Sequence, residues 1–375
     1  MVNHCYFSVL QQVEPNLRGG DVDSHLLECE LRWIVRLRAD KFPGVNDRVQ
    51  VKPLLPLEHV AMVVHNLSSS VVTEFMFAGF LHLHNYYTIF FILFLLIYST
   101  VIIGNSLILA AVITNRKLHT PMYFFLSNLA VIDLFYTTTV IPRMLTLFIV
   151  DSQTISFSLC FVQLCFLHGF GIAEAFLLVV MAYDRYVAIC SPLHYQNIMT
   201  NMVNILLAAN TWILPFIIVI PIVILAAQLP FCGPNKIHHC FCEHVYVIKL
   251  ACTDITPHVY LGFSVAMTVS FIPLFLVVFS YIKILTAVFQ LASTEERLKA
   301  LSTCTSHIMV VSFYYVSIIV AYVSYTTDNI ANDFHVASTI FCAILTPTVN
   351  PVIYTLRNRD VKSTVTKLIK SVLKY

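Results

Sequence analysis

The chain has 375 residues, 58% of them hydrophobic and 11% charged. A soluble globular protein carries about 25% charged side chains, so this composition excludes a protein with water on all sides and points to lipid. The formal net charge of +2 and the lack of a basic run give no support to a nucleic-acid partner.

Charge is concentrated at the start. Residues 1–61 hold seven Lys/Arg and eight Asp/Glu, about a quarter of that stretch, against roughly 9% in the remainder. No apolar run there is long enough for a signal peptide. Within it "LECELRWIVRLRADKF" has the pattern of a short amphipathic helix, and no residue carries recognisable site chemistry. From residue 85 onward apolar runs repeat. Seven of them, 87–113, 122–147, 158–182, 203–227, 258–286, 303–325 and 334–356, reach the about 20 residues needed to cross a bilayer. After Arg357, Val361, Val365, Leu368, Ile369 and Val372 alternate with lysines, the pattern of an amphipathic helix on the inner leaflet. The expected fold is an all-α membrane protein, a seven-transmembrane helix bundle with a short amphipathic eighth helix. Ser293-Thr294-Glu295-Glu296 fits a capping box, so the sixth helix should start well before its apolar run.

Lys and Arg near the span ends set the orientation. Arg116 and Lys117 lie in the first connection and Arg185 follows the third span. Lys283, Arg297 and Lys299 flank the fifth-to-sixth connection, and the tail carries Arg357, Arg359, Lys362, Lys367, Lys370 and Lys374. The alternate loops are balanced or acidic, with Asp151, then Lys236, Glu243, Lys249 and Asp254, then Asp328 and Asp333. The N-terminus is therefore expected outside and the C-terminus in the cytoplasm. Asn66-Leu67-Ser68, the only N-x-S/T sequon, precedes the first span on the side where glycans are added. Cys160, Cys232, Cys242 and Cys252 fall on the same side, where disulfides form. Their spacing alone leaves three pairings open.

Two polar constellations interrupt the apolar spans. Asp184 and Arg185 stand side by side 25 residues after Cys160, about 38 Å along a helix and so at the cytoplasmic mouth. An arginine there can pair with its neighbour in one state and be released in another, acting as a latch. It can also be a snorkelling side chain at the membrane edge. Deeper in, Asp133, Glu174 and Asn350 lie near mid-membrane by residue count. Buried carboxylates at that depth should pair, share a proton or hold a small cation. The plainer alternative is a polar network that only locks helices together.

"MAYDRYVAIC" (181–190), "LHTPMYFFLSNLAVIDL" (118–134), "GN" (104–105), "SY" (280–281), "KALSTCTSHIMVV" (299–311) and "PTVNPVIYTLRN" (347–358) together resemble the olfactory receptors, the odorant branch of the rhodopsin-like G-protein-coupled receptors. The resemblance covers about residues 62–375 with the motifs in order. Residues 1–61 then read as an atypical charged extension, either disordered or a gene-model artefact. The resemblance implies a small-molecule odorant held between the outer halves of the helices, a heterotrimeric G protein of the olfactory stimulatory type, a cAMP signal and a place in the plasma membrane. It implies a cytoplasmic switch of Asp184, Arg185 and Tyr186, with Tyr281 and Tyr354 as partners and Asn350-Pro351 as the seventh-helix hinge. Asp133, Glu174 and Asn350 match positions around the sodium pocket of the wider superfamily, so sodium is a possible ion. It implies the disulfides Cys160–Cys242 and Cys232–Cys252.

For the odorant, the resemblance singles out His168, Gly171 and Ile172 on the third helix. Val265 and Val269 follow on the fifth, and Phe313, Tyr314, Ser317 and Tyr322 on the sixth. This set is mostly apolar and aromatic and implies a neutral, partly apolar ligand. "HHCFCEH" (238–244) contains ligand types for copper or zinc, but Cys242 is committed to a disulfide in this reading and no metal is assigned. An amine receptor would show an aspartate in the outer half of the third helix and a C-W-x-P sequence in the sixth. Here His168 and "FYY" stand instead. A transporter would show internal repeats, and none is found. No nucleophile, base and orienting acid occur together, so an enzyme is not expected.

Overall fold

A computed structural model describes residues 72–80, 82–150, 153–290, 293–326 and 332–372. The leader helix, residues 1–61 as a whole, Asn66, Asp151, Asp328 and Lys374 lie outside the described residues. Seven helices are long and apolar enough to cross a membrane. They are α1 (Tyr87–Thr114), α2 (Pro121–Ile149), α3 (Phe157–Cys190), α4 (Asn201–Ala227), α5 (Thr256–Gln290), α6 (Thr294–Thr326) and α7 (Asn332–Arg357), and a shorter α8 (Arg359–Val372) follows. One-turn helices at Tyr195–Ile198 and His244–Ile248 sit in the α3–α4 and α4–α5 connections.

The helix ends follow local chemistry. Pro121 opens α2 at a position where its missing N–H costs nothing. Ser156 and Thr200 cap α3 and α4 by accepting the N–H of Leu159 and Val203. Asn358 stands between α7 and α8, and its Oδ1 accepts from the N–H groups of Asp360 and Val361. The helices outrun the apolar runs. α3 continues to Cys190, so Asp184 and Arg185 belong to its last two turns, and α6 starts at Thr294, directly after Ser293. On α8, Val361 and Val365 are buried, while Lys362, Lys367 and Lys370 are exposed. Asn115 Nδ2 donates to Thr364 Oγ1 at 2.8 Å, tying α8 to the first connection.

Lipid tails are as apolar as leucine, so burying leucine does not by itself bring helices together in a membrane; close backbone approach and interhelical hydrogen bonds do. Both are present. A Cβ on Gly104 of α1 would lie 2.8 Å from Pro351 Cβ of α7, and one on Gly169 of α3 would lie 2.5 Å from the Phe216 ring of α4. Trp212 Nε1 donates to Asn128 Oδ1 between α4 and α2. α3 is the most enclosed span, with 61% of its most apolar stretch buried against 11% for α5.

The outer end carries a small sheet. β1 (Glu74–Phe77), from the segment before α1, lies between β2 (Gln153–Ser156) and β3 (Lys236–Ile237) of two outer loops. It runs antiparallel to β2, with Glu74 opposite Ser156, and parallel to β3, with Phe77 opposite Ile237. Alternation turns Phe75 and Phe77 inward. Phe75 stacks on Phe157 at the start of α3, ring centroids 5.7 Å apart. Gly79, at φ +64°, turns the chain away after β1, a conformation glycine adopts freely.

The residues above form one compact unit. The other described residues, 72, 230–235 and 250–252, belong to a second unit. There Phe231 bridges Ala251, the Cys252 N–H donates to Pro230 O at 2.8 Å, and Cys232 is disulfide-bonded to Cys252.

Candidate functional site

At the inner end of α3, Asp184 is fully buried. Arg185 Nη2 and Nε donate to its Oδ2 at 2.5 and 3.1 Å. Its other oxygen accepts from the hydroxyl of Tyr195 at 2.7 Å. Charge-assisted hydrogen bonds of this kind are the strong ones. Burial, and then the bond to Asp184, push the Tyr195 phenol up, so it stays an O–H donor. Tyr195 was not singled out in the sequence, because eleven residues and a loop separate it from Asp184.

A second tie lies on the sixth helix. His307 is buried among α3, α5 and α6. Its Nε2 lies 3.1 Å from the Leu178 carbonyl and its Nδ1 2.7 Å from the Tyr281 hydroxyl. A carbonyl can only accept, so Nε2 carries the proton and Nδ1 accepts from Tyr281. Below it Ile284, Val288 and Cys304 pack with Tyr186. Tyr354 is fully buried on α7, its hydroxyl without a partner.

Near mid-membrane, Asn350 Nδ2 lies 3.3 and 3.0 Å from the two carboxylate oxygens of Asp133 and 3.5 Å from Glu174 Oε1. All three residues are at most 2% exposed. One amide group faces two carboxyl groups, and among the described residues no Lys or Arg pairs with them. Two ionised carboxylates without compensation would be prohibitively costly in this environment, so the cluster requires a proton or a cation.

At the outer end, Cys160 of α3 is disulfide-bonded to Cys242, Cα atoms 5.6 Å apart. Gln163 braces the same junction, donating to Thr139 O and accepting from Cys242 N. Glu243 Oε2 caps the short helix that follows, and Tyr246 donates to Asn332 Oδ1 on α7. His239 is fully buried. The Phe241 N–H donates to its Nδ1, so its Nε2 donates to Thr339 Oγ1 at 2.7 Å. With both nitrogens of His239 used and Cys242 in a disulfide, "HHCFCEH" presents few free donors. Among the described residues no group of three or more His, Cys, Asp or Glu is placed to hold a metal ion.

Burial lowers the His239 imidazole to about 3. An unfolded histidine takes up its proton near 6.5. Below that pH the unfolded chain binds a proton that the folded loop refuses, so loop stability is full above pH 6.5 and falls as the pH drops toward 3. Protection factors across residues 236–249, taken after correction for the intrinsic pH dependence of amide exchange, are expected to fall between pH 7 and 5, and His239→Gln should flatten that dependence. An unchanged slope in the variant would assign the effect elsewhere.

The residues expected around an odorant divide. Tyr314 is buried and donates its hydroxyl to Gly171 O at 3.0 Å. Ser317 is buried and donates to Tyr314 O. Ile172, Val265 and Val269 are half-buried, and Tyr322 packs against Phe263. His168 faces His244 of the second outer loop, ring centroids 6.2 Å apart. Phe313 departs from the expectation. It is 36% exposed on the side of α6 that carries Val316, Ile319 and Val323. One residue is about 100° of helix turn, and next to inward Tyr314 that step takes Phe313 to the outer surface of the bundle.

The comparisons with known proteins agree with this architecture. The family model for the olfactory receptor matches residues 94–371. Olfactory receptor 2AT4 of Homo sapiens is 49% identical over 279 residues, covering 74% of this chain and 87% of that protein. Olfactory receptor 4B13 of Mus musculus is 42% identical over 298 residues, covering 78% and 95%. Olfactory receptor 6N1 of Homo sapiens is 40% identical over 303 residues, covering 81% and 97%. With the seven spans and the polar ties between them in place, the match over most of its length shows that this chain belongs to the olfactory receptor family.

Proposed function

We propose that this olfactory receptor binds a small, neutral, partly apolar odorant inside the outer half of the bundle and activates a heterotrimeric G protein of the stimulatory type, raising cAMP. The observation that carries this is the closed latch, Arg185 held by buried Asp184 with Tyr195 behind it. The His307 tie between α6 and its neighbours adds to it. Such a bundle has two packings, and a ligand that favours the looser one frees Arg185 for the partner. The receptor resides in the plasma membrane with the N-terminus and the Asn66 glycan outside. Arg185→Ala, brought to equal surface density, is expected to lose the odorant-driven cAMP rise. A full response from the variant would refute the role given to Arg185.

The Asp133–Glu174–Asn350 cluster takes sodium in this reading, which supplies the charge the two carboxyl groups need. Thermal stability of the purified receptor is then expected to rise when sodium replaces choline, and Asp133→Asn should abolish the rise. Equal stability in the two salts would leave a shared proton in the cluster instead.

A further inference from the structure

Polar atoms along the inner faces of the outer half are mostly occupied. Tyr314, Tyr315, Ser317 and Ser324 all donate to backbone carbonyls. The exceptions at this end include three imidazole nitrogens. His168 Nε2, His244 Nε2 and His258 Nδ1 are buried without a hydrogen-bond partner. They come from three separate elements, α3, the short loop helix and the first turns of α5. His168 and His244 meet edge to face at 6.2 Å. His244 is 9% exposed, and its Nε2 abuts Gly262 of α5, where a Cβ would stand 3.2 Å away. A buried polar atom left unmatched costs stability, so these nitrogens are provided for something that comes and goes.

Resting on the pocket reading above, we infer that His168 and His244 form the polar subsite of the odorant pocket and that the ligand it takes carries a hydroxyl group. A neutral imidazole has one N–H and one lone pair. A hydroxyl both donates and accepts, so one oxygen placed between the rings satisfies two imidazoles at once, accepting from one and donating to the other. An ether or ketone only accepts, so it serves both rings only when both present N–H at Nε2, whereas a hydroxyl serves whichever tautomers the two rings hold. A carboxylate only accepts and brings charge, for which the site must be protonated. Burial, and then the neighbouring His258, lower His244 to about 4, so it stays neutral at physiological pH and does not favour a carboxylate.

The test uses the purified full-length protein in lipid nanodiscs. Thermal stability is titrated with a panel of linear, branched and cyclic alcohols, each paired with its methyl ether. At least one alcohol is expected to stabilise at a concentration about tenfold or more below that of its ether. His168→Phe and His244→Phe should each remove the gap, and the double variant should lose no more than either single one. Alcohols also perturb the bilayer, but that effect is common to all variants and cancels in the comparison. Should His168→Phe fail to fold, the loop variant His244→Phe carries the test alone. Equal midpoints for alcohol and ether, a gap that survives His244→Phe, or no stabilisation by any alcohol of the panel would overturn the inference. The measurement needs no G protein, so it fails independently of the cAMP assay that tests the receptor reading.

Discussion

Asp184→Ala is expected to make the receptor signal without odorant. The substitution leaves Arg185 without its partner and Tyr195 without its acceptor, both at a buried site. A hydrogen bond to a charged group stabilises by about 1.5–3 kcal/mol, and about 1.4 kcal/mol is tenfold in an equilibrium constant. Because the closed packing holds these bonds and the open one does not, basal cAMP per surface receptor should rise by several-fold to about tenfold. Tyr195→Phe removes a single bond and should give a smaller rise of the same sign. Basal cAMP equal to that of the parent at matched surface density would show that the pair is a snorkelling arginine with an incidental neighbour.

Breaking the Cys160–Cys242 disulfide should have the largest effect on folding. It joins the top of α3 to the second outer loop across a sequence separation of 82 residues. Removing a native disulfide of this kind costs about 2–5 kcal/mol, comparable with much of the net stability of a domain. Cys160→Ser and Cys242→Ser are each expected to lower surface staining by about tenfold or more. The double variant should be no worse than either, because one bond is lost in all three. Cys240 lies two residues from Cys242 and is fully buried. Burial pushes its thiol up, which keeps it out of exchange in the folded loop. Once Cys242 is gone, Cys240, two residues away on the same loop, is the loop's free thiol closest in sequence to the lost partner of Cys160. Cys240→Ser in the Cys242→Ser background therefore separates mispairing from simple loss. Normal surface levels in all variants would make the bridge dispensable.

The spans were legible because a bilayer demands long uninterrupted apolar runs, a far coarser signal than a boundary. The ends were less legible. α3 runs on through Asp184 to Cys190 because a helix needs no lipid once its hydrogen bonds are made. The sheet was invisible in "EFMF", "QTIS" and "KI", which are too short for alternation to stand out. The sites divide in the same way. Asp133, Glu174 and Asn350 announce themselves as polar groups in apolar runs. Tyr195 and His307 do not, since a tyrosine or histidine in or beside an apolar span is ordinary until its partner is seen. Phe313 stands beside inward Tyr314, and one residue turns a helix by about 100°, so a resemblance that places Tyr314 inside does not carry its neighbour with it.

The order of the outer sheet has a consequence for biogenesis. Its middle strand is β1, the first of the three to leave the ribosome, while β3 emerges about 160 residues later. Phe75 and Phe77 must wait through the synthesis of four spans before both neighbours exist. Closing so long a loop is slow relative to forming local helices. The nascent chain therefore carries an unpaired, strand-forming aromatic segment while about 160 further residues are made. Completion of the sheet is the event that pairs it, so a chain stopped before β3 leaves one edge of β1 without its partner strand.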